Sequence, residues 1–237
     1  MHYSIYQHLK TCLHAALEKA YPEQCPHLVS VPITFSRITP DPLTDIATPY
    51  PLQISQILRL PVTTVSQHIL DHFQISSDYL LNTTDTIYCS GFFNFRMSQS
   101  LLLRSVYETC NDDCTLKMVL ATNKPQIINK IELLLQKNVL ENPPSIDNFI
   151  TFPLPHSTCE HNAARLIAIS CNDGIHSEKT CAYFKRQLLD EAKNFYRMCP
   201  IQSDDYQLSV VRFLIIKALY IRIKQMRRVP DDLKLYH

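Results

Sequence analysis

Glycine is nearly missing from this chain, with two residues in 237, Gly91 and Gly174. Loops that cradle phosphate need glycine where backbone meets the anion, as in G-x-G-x-x-G or G-x-x-x-x-G-K-[ST]. Two glycines are too few for the first pattern, and Gly91 and Gly174 lie too far apart for the second, so ATP use by those routes is excluded. Net charge is also slight, +1, and by itself gives no argument for a nucleic-acid partner. Although 46% of the residues are hydrophobic, there is no run of about 18 apolar residues, so no transmembrane span or membrane partner is expected. The opening stretch MHYSIYQHLKTCLHAALEKA is amphipathic and broken by Lys10 and His14, unlike the continuous apolar segment of a signal peptide. Its nine cysteines are therefore expected to be reduced, packed as small apolar side chains in a cytoplasmic protein.

Catalytic and metal motifs are sparse as well. No Ser-His-Asp or Cys-His arrangement stands out among ten scattered histidines. Cys110 and Cys114 are one C-x₃-C pair, and His156, Cys159 and His161 form an irregular cluster. Zinc sites show paired C-x₂₋₄-C and H-x₃₋₅-H spacing, so no metal site and no cofactor are assigned.

What is present has the size of two modest domains. Ile5, Leu9, Cys12, Leu13, Ala16 and Ala20 recur at helical spacing over 3–20, ahead of Pro22 and Pro26. LVSVPITF at 28–35 alternates like a strand, with Pro32 marking an edge or a kink. Thr44 or Asp45 is placed to cap a helix carrying Ile54, Ile57 and Leu58. Pro61 opens another, with Val62, Val65, Ile69 and Phe73 on one face. DTIYCSGFFNFRM at 85–97 is expected as a strand, with Phe93 and Phe95 on one side and Phe92, Asn94 and Arg96 on the other. The pattern over 99–156 predicts a short strand at 115–122 and a helix from about Pro125 to Asn138. Its proline-rich end, NPPSIDNFITFPLPH, is expected as an extended linker.

The last 80 residues read as helices. One covers 159–171 and stops near Asn172-Asp173-Gly174; the next begins at a Ser177 cap. Cys181, Phe184, Leu188, Ala192, Phe195, Tyr196 and Cys199 form its apolar face. Asp204 and Asp205 open a final helix to about Arg228, apolar on most sides and so expected at the centre of a bundle. Charge is uneven: residues 1–98 carry five basic and seven acidic groups, 99–156 five and six, and 157–237 thirteen and nine.

Four blocks carry a resemblance: TDIATPYPLQISQIL at 44–58, SGFFNFRMS at 90–98, HNAARLIAIS at 161–170 and KNFYRMCPIQ at 193–202. The first two resemble the N-terminal appended domain of arginyl-tRNA synthetases, whose pattern is G-D-x-A-T-N followed by G-F-I-N-F-R-L. The last two resemble the family's all-helical anticodon-binding (DALR) domain, with its Y-A-x-A-R helix and F-Y-x-x-C-P-V helix end. Thr44, Pro49 and His161 or Asn162 depart from these patterns. The catalytic body between them is missing: no H-x-G-H occurs, and Lys117-Met118 is not followed by the rest of a K-M-S-K loop.

The resemblance implies an α+β domain at 1–98, a reduced connecting region at 99–156 in place of the catalytic domain, and a DALR-like bundle at 157–237. It also implies a non-catalytic paralogue that binds tRNA, an arginine tRNA foremost, as an adaptor for a tRNA-modifying enzyme or another protein. Phe92 and Asn94 would meet a base of the tRNA elbow. An aromatic plane, an amide and the Arg96 guanidinium in one row suit stacking, edge bonding and phosphate contact. The same row also suits a sheet face packed on a helix. Lys217, Lys224 and Arg228 share one helix face, as do Arg186, Lys193 and Arg197. Two such stripes suit a phosphate backbone, or a solvated surface diluted by Asp190, Glu191, Asp231 and Asp232. Tyr196 matches a family aromatic near the anticodon, but its position on the apolar face suits a core ring with its hydroxyl at the surface. Arg165 matches a family arginine and equally suits a bridge between helices. The other reading of the whole is a protein-interaction module on the same fold that no longer binds RNA.

Overall fold

The computed structural model describes residues 5–35, 44–75, 87–89, 91–111, 126–137, 144–154, 159–170 and 178–226. The chain is mostly helical with a small antiparallel sheet. It divides into two compact units, Tyr3–Ser98 and Gln99–His237. The expected strand at 115–122, the stop at Asn172-Asp173-Gly174, the Ser177 cap and Arg228 lie outside the described residues. No helix among the described residues is long and apolar enough to cross a membrane.

In the first unit, α1 (Ile5–Ala20) buries Leu9, Leu13 and Leu17. Each such side chain removed from water contributes about 1.5–3 kcal/mol. Leu17 joins the buried face, while Cys12 and Ala20, expected on it, are half-buried at its margins. A short helix, α2 (Cys25–Leu28), follows. It ends the expected 28–35 strand: Leu28 closes a helical turn, and no ladder runs through 31–35. Three strands make the sheet, β1 (Ile46–Thr48), β2 (Ile87–Cys89) and β3 (Phe92–Phe95), antiparallel in the order β1-β3-β2.

Two expectations change here. The expected single strand over 85–97 is two antiparallel ones, 87–89 and 92–95: Cys89 pairs with Phe92, and Gly91 has φ +92°. A β-carbon there would lie 3.3 Å from that of Leu52, so one of the two glycines is required by both backbone and space. The second change is at Asp45, which caps no helix. Its N–H donates to the Phe95 carbonyl (2.9 Å) and its Oδ2 accepts from the Met97 N–H (2.7 Å), clasping the exit of β3. Residues 46–48 are then strand, and α3 (Tyr50–Leu58) begins after Pro49. Ile54 is buried in the core, whereas Ile57 faces solvent. Helix α4 (Val62–His72) starts after Pro61 and buries Val65 and Ile69 against α1 and α3.

The second unit is built around α10 (Tyr206–Gln225), which packs on α5 (Gln99–Asn111), α6 (Gln126–Lys137), α8 (Cys159–Ser170) and α9 (Glu178–Met198). Val211, Ile215, Leu219 and Ile223 are fully buried, with Val210, Leu214 and Ile221 nearly so, on several sides of this helix. A helix apolar all round belongs at a bundle's centre. Asp205 caps it, its Oδ1 accepting from the Gln207 and Leu208 N–H groups at 2.8 and 3.2 Å. The stretch expected as an extended linker is folded into the same unit. There α7 (Ile146–Phe149) packs on α5, with the Phe149 ring 5.7 Å from those of Tyr107 and Phe152. Gln99 Nε2 donates to the Phe152 carbonyl at 2.7 Å, and Tyr107 Oη to that of Pro144 at 3.1 Å. Buried aromatics override the proline signal, since Phe149 in a solvated linker would forfeit its burial.

Candidate nucleic-acid interface

Strand β3 is central in its sheet, so its two faces are set by alternation alone. Phe93 and Phe95 enter the core, with rings 6.4 Å apart, and Phe95 meets Phe73 at 5.6 Å. Phe92 and Asn94 are half-buried on the opposite face, where Asn94 lies across from Ala47 on β1 and Ile87 on β2. Arg96, just past the strand, is half-buried too, and its Nε has no hydrogen-bond partner among the described residues. Phe92 and Asn94 thus share the face away from Phe93 and Phe95, while the Arg96 Nε is buried beyond the end of the strand.

Helix α9 separates its two sides sharply. Cys181, Phe184, Leu188, Ala192 and Phe195 are buried, while Tyr183, Arg186, Lys193 and Arg197 are exposed. Tyr196, expected at the apolar side, is 39% exposed: Phe195 fills the inward position and turns its neighbour outward. Asp190 sits within the basic row. Lys193 Nζ donates to its Oδ1 at 3.0 Å, and Arg186 Nε is 4.0 Å from its Oδ2. Such exposed pairs contribute little to stability, but Asp190 removes part of the positive field that a polyanion would meet.

On α10 the basic stripe is less free. Lys217 and Lys224 are half-buried, and Lys224 Nζ stands 4.4 Å over the Tyr220 ring, a cation–π contact. A helix surrounded by neighbours leaves its lysines a narrow outlet, so this stripe is not the open face that spacing alone suggests.

Several charged residues hold the bundle instead. Arg222 donates to the Ser170 hydroxyl and backbone carbonyl at the end of α8, and to Gln225 Oε1. A cation there suits the negative end of the α8 dipole. Arg165 on α8 acts across to Glu191 on α9: burial pushes the Glu191 carboxyl up and Arg165 draws it back. Arg212 Nε donates to Glu160 Oε1 at 2.7 Å, with the side chains 16% and 4% exposed. The bridging reading of Arg165 was open from sequence, whereas the roles of Arg222 and Arg212 were missed. The available signal was an arginine set among valines and isoleucines, since a buried guanidinium requires a partner.

Among the described residues no group of three or more His, Cys, Asp or Glu side chains is placed to hold a metal. Cys110 Sγ donates to the Leu214 carbonyl at 3.2 Å; Cys114 and His156 lie outside the described residues. No protein-family model matches this chain, and neither the curated proteins nor the solved structures yielded a match.

Proposed function

We propose that this chain is a non-catalytic, cytoplasmic relative of arginyl-tRNA synthetases that binds tRNA and presents it to another protein. The observation that carries the reading is the half-buried pair Phe92 and Asn94 on the outer face of the central strand, with Arg96 just beyond its end, within a G-F-F-N-F-R block. An aromatic face, an amide and a guanidinium in that order suit one unpaired base and its phosphate. Support for a second contact, on a DALR-like bundle, comes from the exposed Arg186, Lys193, Tyr196 and Arg197 of α9, with Lys217 and Lys224 contributing less. Two contacts on one tRNA would raise avidity beyond either alone, provided both engage together. With no glycine loop for ATP, the reading assigns no aminoacylation to this chain.

Asp190 and the exposed Tyr183, Met198 and Tyr206 favour the other reading, in which the same surfaces dock a protein. Titration of the purified chain with an arginine tRNA transcript and with total tRNA, across a salt series, separates the two. Saturable binding that prefers the arginine tRNA, weakens with salt and falls at least about tenfold in Asn94→Ala, the loss of about 1.4 kcal/mol expected of a stacked or edge-bonded base, supports the adaptor. Absence of binding at low salt overturns it.

A further inference from the structure

Helix α4 carries a His-x₃-His pair that neither the core nor the proposed tRNA contacts use. His68 and His72 stand four residues apart, the spacing that brings two side chains together on one side of a helix. Val65 and Ile69 turn into the core, and both histidines are exposed. Tyr21 fixes the first imidazole: its hydroxyl lies 3.1 Å from His68 Nδ1, with the two rings 5.8 Å apart. Tyr21 is itself held, 8% exposed and with its N–H bonded to the Leu17 carbonyl. When the Nδ1–H donates to this phenol oxygen, the imidazole lone pair is left on Nε2. A ring oriented through one nitrogen and presenting the other is the usual arrangement of a histidine that ligates a metal. His72 closes the last turn of α4, where the negative end of the helix dipole favours a cation.

We propose that His68 and His72 form a surface site for a divalent transition-metal ion, with Tyr21 as the residue that positions His68. Two imidazoles at i and i+4 on one helix make a chelate, because a single turn orders both ligands. Imidazole nitrogen suits zinc, nickel and copper, whereas magnesium and calcium take oxygen. Asp71 is exposed beside the pair and adds negative charge. Its Oδ1 accepts from Gln67 Nε2 at 2.7 Å, so the carboxylate is already engaged along the helix. Among the described residues no third His, Cys, Asp or Glu joins the two, and water completes the coordination of the ion. A site with two protein ligands exchanges its metal, unlike a structural site closed by four. Bound there, the ion polarises the His68 ring and strengthens its Nδ1–H bond to Tyr21. That tightens the junction of α1 and α4, which pack on each other in the first unit.

The test uses the full-length chain without an affinity tag, stripped with EDTA and titrated with zinc chloride alone. Diethyl pyrocarbonate then modifies the accessible imidazoles, and mass spectrometry after digestion reads each histidine separately. His68 and His72 should be protected at one shared zinc midpoint, while the exposed His27 stays reactive. His72→Gln should raise the midpoint for His68 at least about tenfold. Tyr21→Phe keeps both imidazoles, yet the loss of its oxygen should raise the midpoint by about tenfold or more. Protection of neither histidine, separate midpoints for the two, or protection of His27 along with them would each overturn the site. An unchanged midpoint in Tyr21→Phe would overturn the positioning role. The wild-type map stands by itself should either variant fail to fold. Its outcome does not depend on whether the chain binds tRNA.

Discussion

Removing Arg212 should damage the second unit more than any surface substitution can. In Arg212→Met the Glu160 carboxylate, 4% exposed, stays buried with its 2.7 Å partner gone. Breaking one side of such a pair costs about 3–5 kcal/mol, because the remaining charge must be neutralised or hydrated in place. The lost bond to the Pro200 carbonyl adds at most about 1 kcal/mol, since that contact is exposed. At about 2–4 °C per kcal/mol for a chain of this size, the melting temperature should fall by about 6–20 °C. Urea melts followed by far-ultraviolet circular dichroism suit the measurement, as the chain has no tryptophan. Combining Glu160→Leu with Arg212→Met removes both charges, and the double variant should recover to within about 1–2 kcal/mol of the wild type. A coupling below about 0.5 kcal/mol in that cycle, or a single-variant loss under about 1 kcal/mol, would show that water reaches the pair. The claim that it is sealed inside the bundle would then fail.

Three other outcomes can be stated briefly. Gly91→Ala should cost the first unit about 1–2 kcal/mol, because φ +92° and the 3.3 Å approach to Leu52 both resist a β-carbon; an unchanged urea midpoint would refute the required turn. His14 is held below its ordinary 6.5 by burial, with Lys10 adding to this. The folded state thus binds fewer protons than the unfolded one, and stability should drop as pH falls below about 6.5. His14→Phe should flatten part of that decline, to which His8, lowered likewise by burial, also contributes; an equally steep decline in the variant would contradict this. Asp190→Asn should alter stability by no more than about 0.5 kcal/mol. It should tighten tRNA binding and steepen the salt slope by up to about one ion if the α9 face meets phosphate, whereas unchanged slopes would argue for a protein partner on that face.

Much of the helical architecture could be read from residue order. Leu9 and Leu13, Val65 and Ile69, and the α9 series from Cys181 to Phe195 recur at 3.6 residues, and that period belongs to the local chain. Alternation likewise put Phe93 and Phe95 on one side of β3 and Phe92 and Asn94 on the other, since side chains on a strand have only two directions to take. The cap at Asp205 followed from a carboxylate ahead of an apolar run. These features depend on neighbours within a few positions, which sequence contains in full.

Other features needed partners from elsewhere in the chain. Asp45 resembles a helix cap locally, yet its carboxylate is bonded 52 residues away at Met97. The proline-rich stretch at 142–156 has a linker's composition, but Phe149 and Phe152 find Tyr107 and Gln99 on α5 and fold onto it. Lys217 and Lys224 share a helix face by spacing, and only the packing around α10 half-buries them. The Arg212 clamp on Glu160 and Pro200 joins three segments whose meeting no local pattern encodes. Sequence alone determined the long amphipathic helices and which way their short-period side chains point, because those follow from backbone geometry. Tertiary structure alone decided which charges are paired and which basic face stays open, because these depend on desolvation by distant residues.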